Sequence, residues 1–169
     1  MTIFFNLEAY FRHIMNRTGE FVGLLVIRLL LAWEFWEAGW EKFGGENWFQ
    51  HIQHKFPFPF SIIHTDISWF MATWFEMLGA IALLLGLGTR YAAISLSILT
   101  IVATIAVHIP VDGWSSLSDI ASGYAITNKG FGNYKLPLIY LILFIPLILS
   151  GPGKISLDYL ILRLTNKQR

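Results

Sequence analysis

The feature that most constrains this chain is a set of long apolar stretches, each close to the length needed to cross a lipid bilayer. A helix needs about twenty predominantly apolar residues to span the hydrocarbon core. The chain is 55% hydrophobic and only 14% charged, which is unusual for a soluble domain. The sequence therefore predicts an all-α polytopic membrane protein, a bundle of four transmembrane helices. The predicted spans are 21–39, 67–88, 91–111 and 135–151.

The remaining segments predict a single domain over residues 1–169, with an amphipathic helix at each end. In the N-terminal stretch, apolar residues recur at helical spacing opposite polar ones, which is typical of a helix that lies on a membrane surface. This stretch lacks a long apolar run that ends in small residues, so it is not expected to be a cleavable signal peptide. Residues 155–169 predict a second such helix, unless a cytosolic partner covers its apolar face.

The distribution of Lys and Arg predicts the orientation. Basic residues near the spans favour the cytoplasmic side of the membrane. With both termini in the cytoplasm, seven basic residues lie inside and four lie outside, which favours this orientation. Two long connections, between the first and second spans and between the third and fourth, then lie on the outer side. The net charge is +1 and no basic run is present, so nucleic acid is not an expected partner.

The first apolar stretch carries charged residues where lipid is expected. At the rise of an α-helix, Arg28 lies about 16 Å below the outer end of its helix, and Glu76 about 13 Å below the outer end of the second. A lone charge inside a membrane is costly, and such residues generally face the bundle and find partners. We therefore predict a buried ion pair between Arg28 and Glu76. The pair either stabilises the packing of the bundle or takes part in proton transfer or ligand binding.

A second group of polar side chains is predicted near the outer surface. Glu34 and Glu37 share a face of the first helix, and His108 lies at a similar depth in the third. Two carboxylates and an imidazole suit a divalent metal, a proton relay or a polar head group. Trp36 and Trp40 lie beside the carboxylates and are candidates for cofactor binding. The alternative is an interfacial histidine with glutamates that reach the water. Further candidate metal ligands in the outer connection are His51, His54 and His64.

Missing residues exclude several redox mechanisms. The chain has no cysteine, so dithiol exchange, disulfides and iron–sulfur clusters are excluded. No pair of deep histidines suits a haem, and no phosphate-binding glycine pattern or catalytic motif is found. Redox work would need a bound quinone or a partner protein. Whether the protein is an enzyme stays open at this stage.

Several short segments, in their order along the chain, resemble the DoxX family of small four-helix membrane proteins. Arg28 is followed by Gly39 and Lys42 at the exit of the first helix. The further segments are "FEMLGAIALLLGLGTR" (75–90), "VHIP" (107–110) and "SGPGKISLDYLI" (150–161). Within the family, "FWEAGWEKF" (35–43) and "GYAITNKGFGNYKLP" (123–137) resemble the HvfX branch, which accompanies the maturation of secreted copper-binding peptides.

The resemblance implies an accessory protein of the bacterial inner membrane. Two function classes stay open. The first is a non-enzymatic protein that assists the maturation, docking or export of a metal-binding peptide through its outer face, with a membrane or periplasmic partner. The second is a quinone-binding subunit of a membrane oxidoreductase, since other DoxX relatives are associated with quinone-linked enzymes. The expected cofactor is accordingly a quinone, a divalent metal, or none.

Overall fold

The computed structural model describes residues 2–110, 112–127 and 129–166, and this part of the chain is helical, without strands. Two short 3-10 turns, Trp48–His51 and Gln53–Lys55, follow the first helix, and a π-helical turn, Thr104–His108, extends the third. The α-helices are α1 (Thr2–Gly44), α2 (Thr65–Leu85), α3 (Thr89–Ala103), α4 (Leu117–Gly123), α5 (Lys135–Ser150) and α6 (Leu157–Asn166).

Four of these helices pack around one apolar core. Helix α1 packs mainly against α2 and also contacts α5, while α3 packs against both α2 and α5. Side chains from all four helices contribute to the core, and the largest are fully buried because they interdigitate at the centre of the bundle. The fully buried apolar side chains include Leu31, Leu83, Leu96, Phe144 and Leu147.

The two ends of the bundle differ. At one end, which we call the turn end, Gly86 to Gly88 join α2 to α3, and residues 151–156 join α5 to α6. At the other, the loop end, residues 45–64 join α1 to α2, and residues 109–134 join α3 to α5. The second 3-10 turn contacts the π-helical turn of α3, so both long connections lie at the same end.

Helix α1 differs from its prediction. The sequence predicts a surface helix followed by a separate span from residue 21 to 39, but the structure has one helix of 43 residues, about 64 Å long at the usual rise. No proline precedes residue 57, so nothing in this region forces a break. The helix also continues five residues past Gly39, which changes the depth of every side chain counted from its outer end.

Two of the predicted spans meet the requirements of a membrane-crossing helix by length and composition. These are α2, with 21 residues, and α3 with its π-helical turn, with 20 residues. Helix α5 is apolar but shorter, at 16 residues. Helix α2 ends before the predicted residue 88, because Gly86 adopts a left-handed conformation that caps the helix. The predicted end of the third span, Val111, lies outside the described residues.

Candidate functional site

The predicted ion pair between Arg28 and Glu76 is wrong. Glu76 instead accepts a hydrogen bond from Lys42, whose Nζ lies 2.8 Å from Oε2. Both side chains are largely buried between α1 and α2, one helical turn from Gly39. A Cβ at Gly39 would lie 2.7 Å from the Met77 Cγ, so the glycine allows the close approach of the two helices that brings the charges together.

Arg28 is satisfied by backbone carbonyls at the turn end. The residue is only 1% exposed. Its Nε donates to the Leu83 carbonyl at 3.0 Å, and its Nη1 donates to the carbonyls of Pro152 and Ile155 at 2.7 and 2.9 Å. The last carbonyls of a helix lack intrahelical partners and carry partial negative charge. Carbonyls at the end of α2 and in the connection between α5 and α6 therefore hold the guanidinium.

Asp158 completes this arrangement from α6. Its carboxylate accepts the backbone N–H groups of Gly88 and Thr89 at 2.8 and 3.1 Å, which caps the start of α3. Its own N–H donates to the Gly86 carbonyl at 3.0 Å. Arg28 and Asp158 thus join α1, the α2–α3 turn and the start of α6. We assign the turn end a structural role, since its polar groups bond to one another.

A different polar contact lies between α1 and α5. The Tyr140 hydroxyl donates a hydrogen bond to Glu34 Oε2, and Glu37 lies close enough to act electrostatically on the same phenol. Phe35, between the two glutamates in sequence, packs against the Tyr140 ring at 6.0 Å. Tyr140 is not among the predicted site residues. Its signal was its position as an isolated hydroxyl in the otherwise apolar stretch from Leu136 to Leu149.

The His108 side chain makes a hydrogen bond with Asn133 at the loop end, and not with the carboxylates of Glu34 and Glu37. Its Nδ1 lies 2.6 Å from Asn133 Oδ1, and its carbonyl accepts the Asn133 N–H at 3.1 Å. His108 ends the π-helical turn, a feature that is frequent at functional sites. Its partner Asn133 lies in the 109–134 connection, two residues before α5.

The residues predicted to form one outer site therefore take part in two separate contacts. Glu34 bonds to Tyr140, and His108 bonds to Asn133. Among the described residues, no three His, Asp or Glu side chains lie close enough together to hold a metal. Trp36 and Trp40 stack on each other with ring centroids 6.0 Å apart. Trp36 also lines a groove between α1 and α2, whereas Glu34 bonds to α5.

The described residues of the 109–134 connection are joined by internal hydrogen bonds. Trp114 Nε1 donates to the Phe131 carbonyl at 2.8 Å, and the Tyr134 hydroxyl donates to the Ile120 carbonyl at 2.9 Å. The side chain of Ser116 caps α4 through the Asp119 N–H. A hydrogen bond from the Ser115 hydroxyl, helped by Ser116, holds the pKa of the Asp119 carboxyl below its usual range.

The connection at residues 45–64 is anchored in the same way. Asn47 donates to Asp66 at the start of α2 at 2.7 Å. Gln53 Nε2 donates to the Ile63 carbonyl at 3.1 Å, across the width of the connection. Phe49 and Phe56 pack edge to face, with ring centroids 5.0 Å apart. The loop end is therefore a structured surface made by both connections.

The fold and its charges define a class of protein. Helices α2 and α3 turn large apolar side chains such as Phe70, Leu78, Ile94 and Ile101 outward, while Arg28 and Glu76 are buried between helices. A protein with apolar flanks and inward-facing charges is suited to a lipid environment. The class is a small helical membrane protein.

The chain belongs to the DoxX family. The family model described as DoxX matches residues 23–109. A protein of Haemophilus influenzae (strain ATCC 51907 / DSM 11121 / KW20 / Rd), described as an uncharacterized protein, is 44% identical over 147 residues, which cover 87% of this chain and 88% of that protein. No solved structure matches the chain. The family membership confirms the predicted resemblance at the level of the family.

Proposed function

We propose that this DoxX-family protein is an accessory protein of the bacterial inner membrane that docks a secreted copper-binding peptide at its loop end and assists its maturation or export. The observation that carries the proposal is the set of hydrogen bonds that orders the described residues of both long connections at that end. A surface that is ordered before binding loses less conformational entropy when a partner docks. The likeness of residues 35–43 and 123–137 to the HvfX branch supports the choice of peptide.

The surface that would meet the peptide has apolar side chains at the loop end. Phe58 and Ile62 are exposed on the first connection, and Leu117 and Ile126 are exposed on the second. Exposed apolar side chains on a polar, ordered surface are suited to protein contacts. The proposed role is non-enzymatic, because docking a peptide needs no catalytic group.

The proposal includes a membrane arrangement. In it, α1, α2, α3 with its π-helical turn, and α5 all cross the bilayer, both termini are cytoplasmic, and the loop end faces outward. The chain has no cysteine, so single-cysteine variants can be labelled without background. In intact cells, a membrane-impermeant thiol reagent should label Leu117→Cys at the loop end and leave Arg90→Cys at the turn end unlabelled. The reverse pattern would exclude an outward-facing docking surface.

Site-specific photo-crosslinking tests the docking itself. A photo-crosslinking residue at position 117 or 126 should form an adduct with a purified precursor of a secreted copper-binding peptide from the same organism. The matched control is position 149 on α5, where Leu149 is also exposed but lies at the turn end. Adducts at 117 and 126 but not at 149 support docking at the loop end. Equal adducts at all three positions, or none, contradict it.

A second candidate function is a quinone-binding subunit of a membrane oxidoreductase. The observation that favours it is the Tyr140–Glu34 hydrogen bond between α5 and α1. Glu37 lies three residues after Glu34 on α1, which places the two carboxylates on the same face of that helix. A phenol and a carboxylate in contact can bind a quinol hydroxyl and accept its proton. A partner protein would receive the electrons. This function predicts that Tyr140→Phe abolishes quinone-dependent activity of the complex, whereas the docking function predicts that peptide binding is unchanged.

A further inference from the structure

A cavity of about 190 Å³ lies between the 45–64 connection and the helices α2 and α3. Its wall is mostly apolar and includes four phenylalanines: Phe49, Phe56 and Phe60 come from the connection, and Phe75 comes from α2. Phe75 and Ile98 are 46% and 49% exposed, so the cavity reaches the apolar flank of the protein between α2 and α3. None of the residues assigned to the proposed functions above lines it.

The wall contains a buried hydroxyl without a partner. Ser68, in the first turn of α2, is 8% exposed, and its Oγ makes no hydrogen bond within the described part of the chain. Leaving a buried hydroxyl unsatisfied is destabilising. Such an atom is expected to have a use, since buried polar groups in native proteins are nearly always bonded.

Neighbouring hydroxyls on α2 and α3 show how such groups are normally satisfied. Thr73, Ser97, Thr100 and Thr104 each donate to the carbonyl four residues earlier, at 2.6 to 2.8 Å. Ser68 lies in the same helical setting, where the His64 carbonyl accepts its backbone N–H. Its side chain nevertheless makes no such bond and lines the cavity instead.

We propose that this cavity binds a membrane-soluble molecule with one aromatic or quinoid-sized ring and an oxygen acceptor that bonds to Ser68. The size supports a ring, because an apolar cavity of about 150 Å³ holds benzene. The four phenylalanines supply edges and faces that favour a flat ring over an acyl chain. Water alone suits the cavity poorly, because the side chains that line it are apolar except for the hydroxyls of Ser68 and Ser95.

This inference stands apart from the docking proposal, since the cavity opens on the apolar flank and not on the exposed surface of the connections. The ring would enter between Phe75 and Ile98, and any hydrocarbon tail would remain in the lipid. The opening lies beside the N-terminal half of α2, so the ring would be held close to the loop end of the bundle. Occupancy would stabilise the packing of the 45–64 connection on α2 and α3.

Two nearly isosteric probes test the hydrogen bond. Acetophenone has one ring and a carbonyl acceptor, and ethylbenzene has the same ring without an acceptor. With the full chain in amphipol, the affinity for acetophenone relative to ethylbenzene should be about two- to tenfold higher in the wild type than in Ser68→Ala, the range expected for one hydrogen bond. The comparison with Ser68→Ala cancels the greater cost of removing the acetophenone carbonyl from water. A preference that is unchanged in Ser68→Ala would overturn the assignment of the hydroxyl.

Filling the cavity separates site binding from simple partitioning. Ala72→Leu places a larger side chain in the wall and should abolish the saturable binding of both probes. Ala32→Leu is the matched control, because Ala32 is equally buried but lines the separate groove between α1 and α2. Equal binding by the wild type, Ala72→Leu and Ala32→Leu would show partitioning only and overturn the proposal. Since Ser68→Ala only removes an oxygen, it tests the site even if Ala72→Leu fails to fold.

The natural occupant can be identified from the membrane. Solvent extracts of wild-type protein purified in nanodiscs should contain a ring-bearing lipid, in stoichiometric amount, that is reduced in Ala72→Leu and retained in Ala32→Leu. An extract that differs only in phospholipid would show that the cavity holds an acyl chain, which contradicts the ring. An extract that does not differ between the variants would contradict a bound occupant.

Discussion

Lys42 and Glu76 form an ion pair at 2.8 Å between α1 and α2, at the level where Gly39 lets the two helices approach. Lys42 also donates to the Ala38 carbonyl on its own helix, so its ammonium group is held from both sides. The pair closes the α1–α2 interface towards the loop end, and the Arg28 contacts close it at the turn end. The longest helix of the protein is therefore fixed to α2 at two polar points with apolar packing between them.

The first prediction concerns this ion pair. Glu76→Met should lower the free energy of unfolding by about 3 to 5 kcal/mol, because it leaves Lys42 buried without its carboxylate. The double variant Lys42→Met with Glu76→Met should recover much of the loss. Reversible unfolding in mixed micelles measures both. The control is Arg12→Ala, which removes the exposed Glu8–Arg12 pair and should cost about 0.5 kcal/mol or less. A double variant as unstable as the single one would contradict the pairing.

The second prediction separates crowding from backbone strain at the turn end. Gly86 and Gly88 both have positive φ, at 66° and 57°. A Cβ at Gly86 would lie 2.5 Å from Arg28 Nη1 and from Ser156 Cβ, whereas nothing lies within 4 Å of a Cβ at Gly88. Gly88→Ala should therefore lower the free energy of unfolding by about 1 to 2 kcal/mol, because alanine is strained in the left-handed conformation. Gly86→Ala should lower the free energy of unfolding by about 1 to 3 kcal/mol more, because its Cβ also collides with Arg28 and Ser156. Equal losses in thermal unfolding would mean that the Arg28 cluster tolerates the extra carbon.

The third prediction tests the fork of hydrogen bonds from Arg28. Arg28→Lys keeps the charge but cannot bond to the carbonyls of Leu83, Pro152 and Ile155 together, so residues 151–158 should detach more easily. Hydrogen exchange of the Asp158 amide, which donates to the Gly86 carbonyl, should become faster. Arg90→Lys is the control, because Arg90 is exposed and makes one bond, to the Leu149 carbonyl. Unchanged exchange in Arg28→Lys would show that charge alone is sufficient.

Helix positions could be predicted from the sequence because hydropathy and length are local properties. All four predicted stretches are helical at the core of the bundle, and α5 begins at the predicted Lys135. The predicted ends of the helices were less accurate where those ends depend on tertiary contacts. The first helix continues to Gly44, where Lys42 finds its partner across the interface. The helical N-terminal segment was predicted, but its continuity with the span could not be read from periodicity alone.

Contacts between side chains were harder to predict than helices. Arg28 was predicted to lie beside Glu76 because its depth was counted from Gly39, and the extension of α1 to Gly44 moves the end of the helix by about 7.5 Å. The predicted pair also required a carboxylate as the hydrogen-bond partner of Arg28, whereas the end of α2 offers carbonyls. Glu34 was predicted to be a functional residue, but its partner Tyr140 depends on which face of α5 meets α1. That rotation is set by packing, and the isolated hydroxyl of Tyr140 is the one local feature that indicates it.

The last prediction distinguishes the two proposed functions at the Glu34–Tyr140 contact. Glu34→Gln keeps the size of the side chain but removes its charge and its ability to take up a proton, while Tyr140→Phe removes the hydroxyl. If the protein serves a quinone-linked complex, both variants should abolish quinone-dependent activity in membranes while the thermal stability of the purified protein changes little. If it docks a peptide at the loop end, both variants should restore copper resistance to a deletion strain as well as the wild type does.

His108→Ala acts at the other contact: it removes the bond to Asn133, which anchors the 109–134 connection. It should therefore reduce copper resistance in the docking case and leave quinone-dependent activity intact. Loss of both activities in all three variants, with normal amounts of protein in the membrane, would contradict the assignment of the two contacts to separate roles.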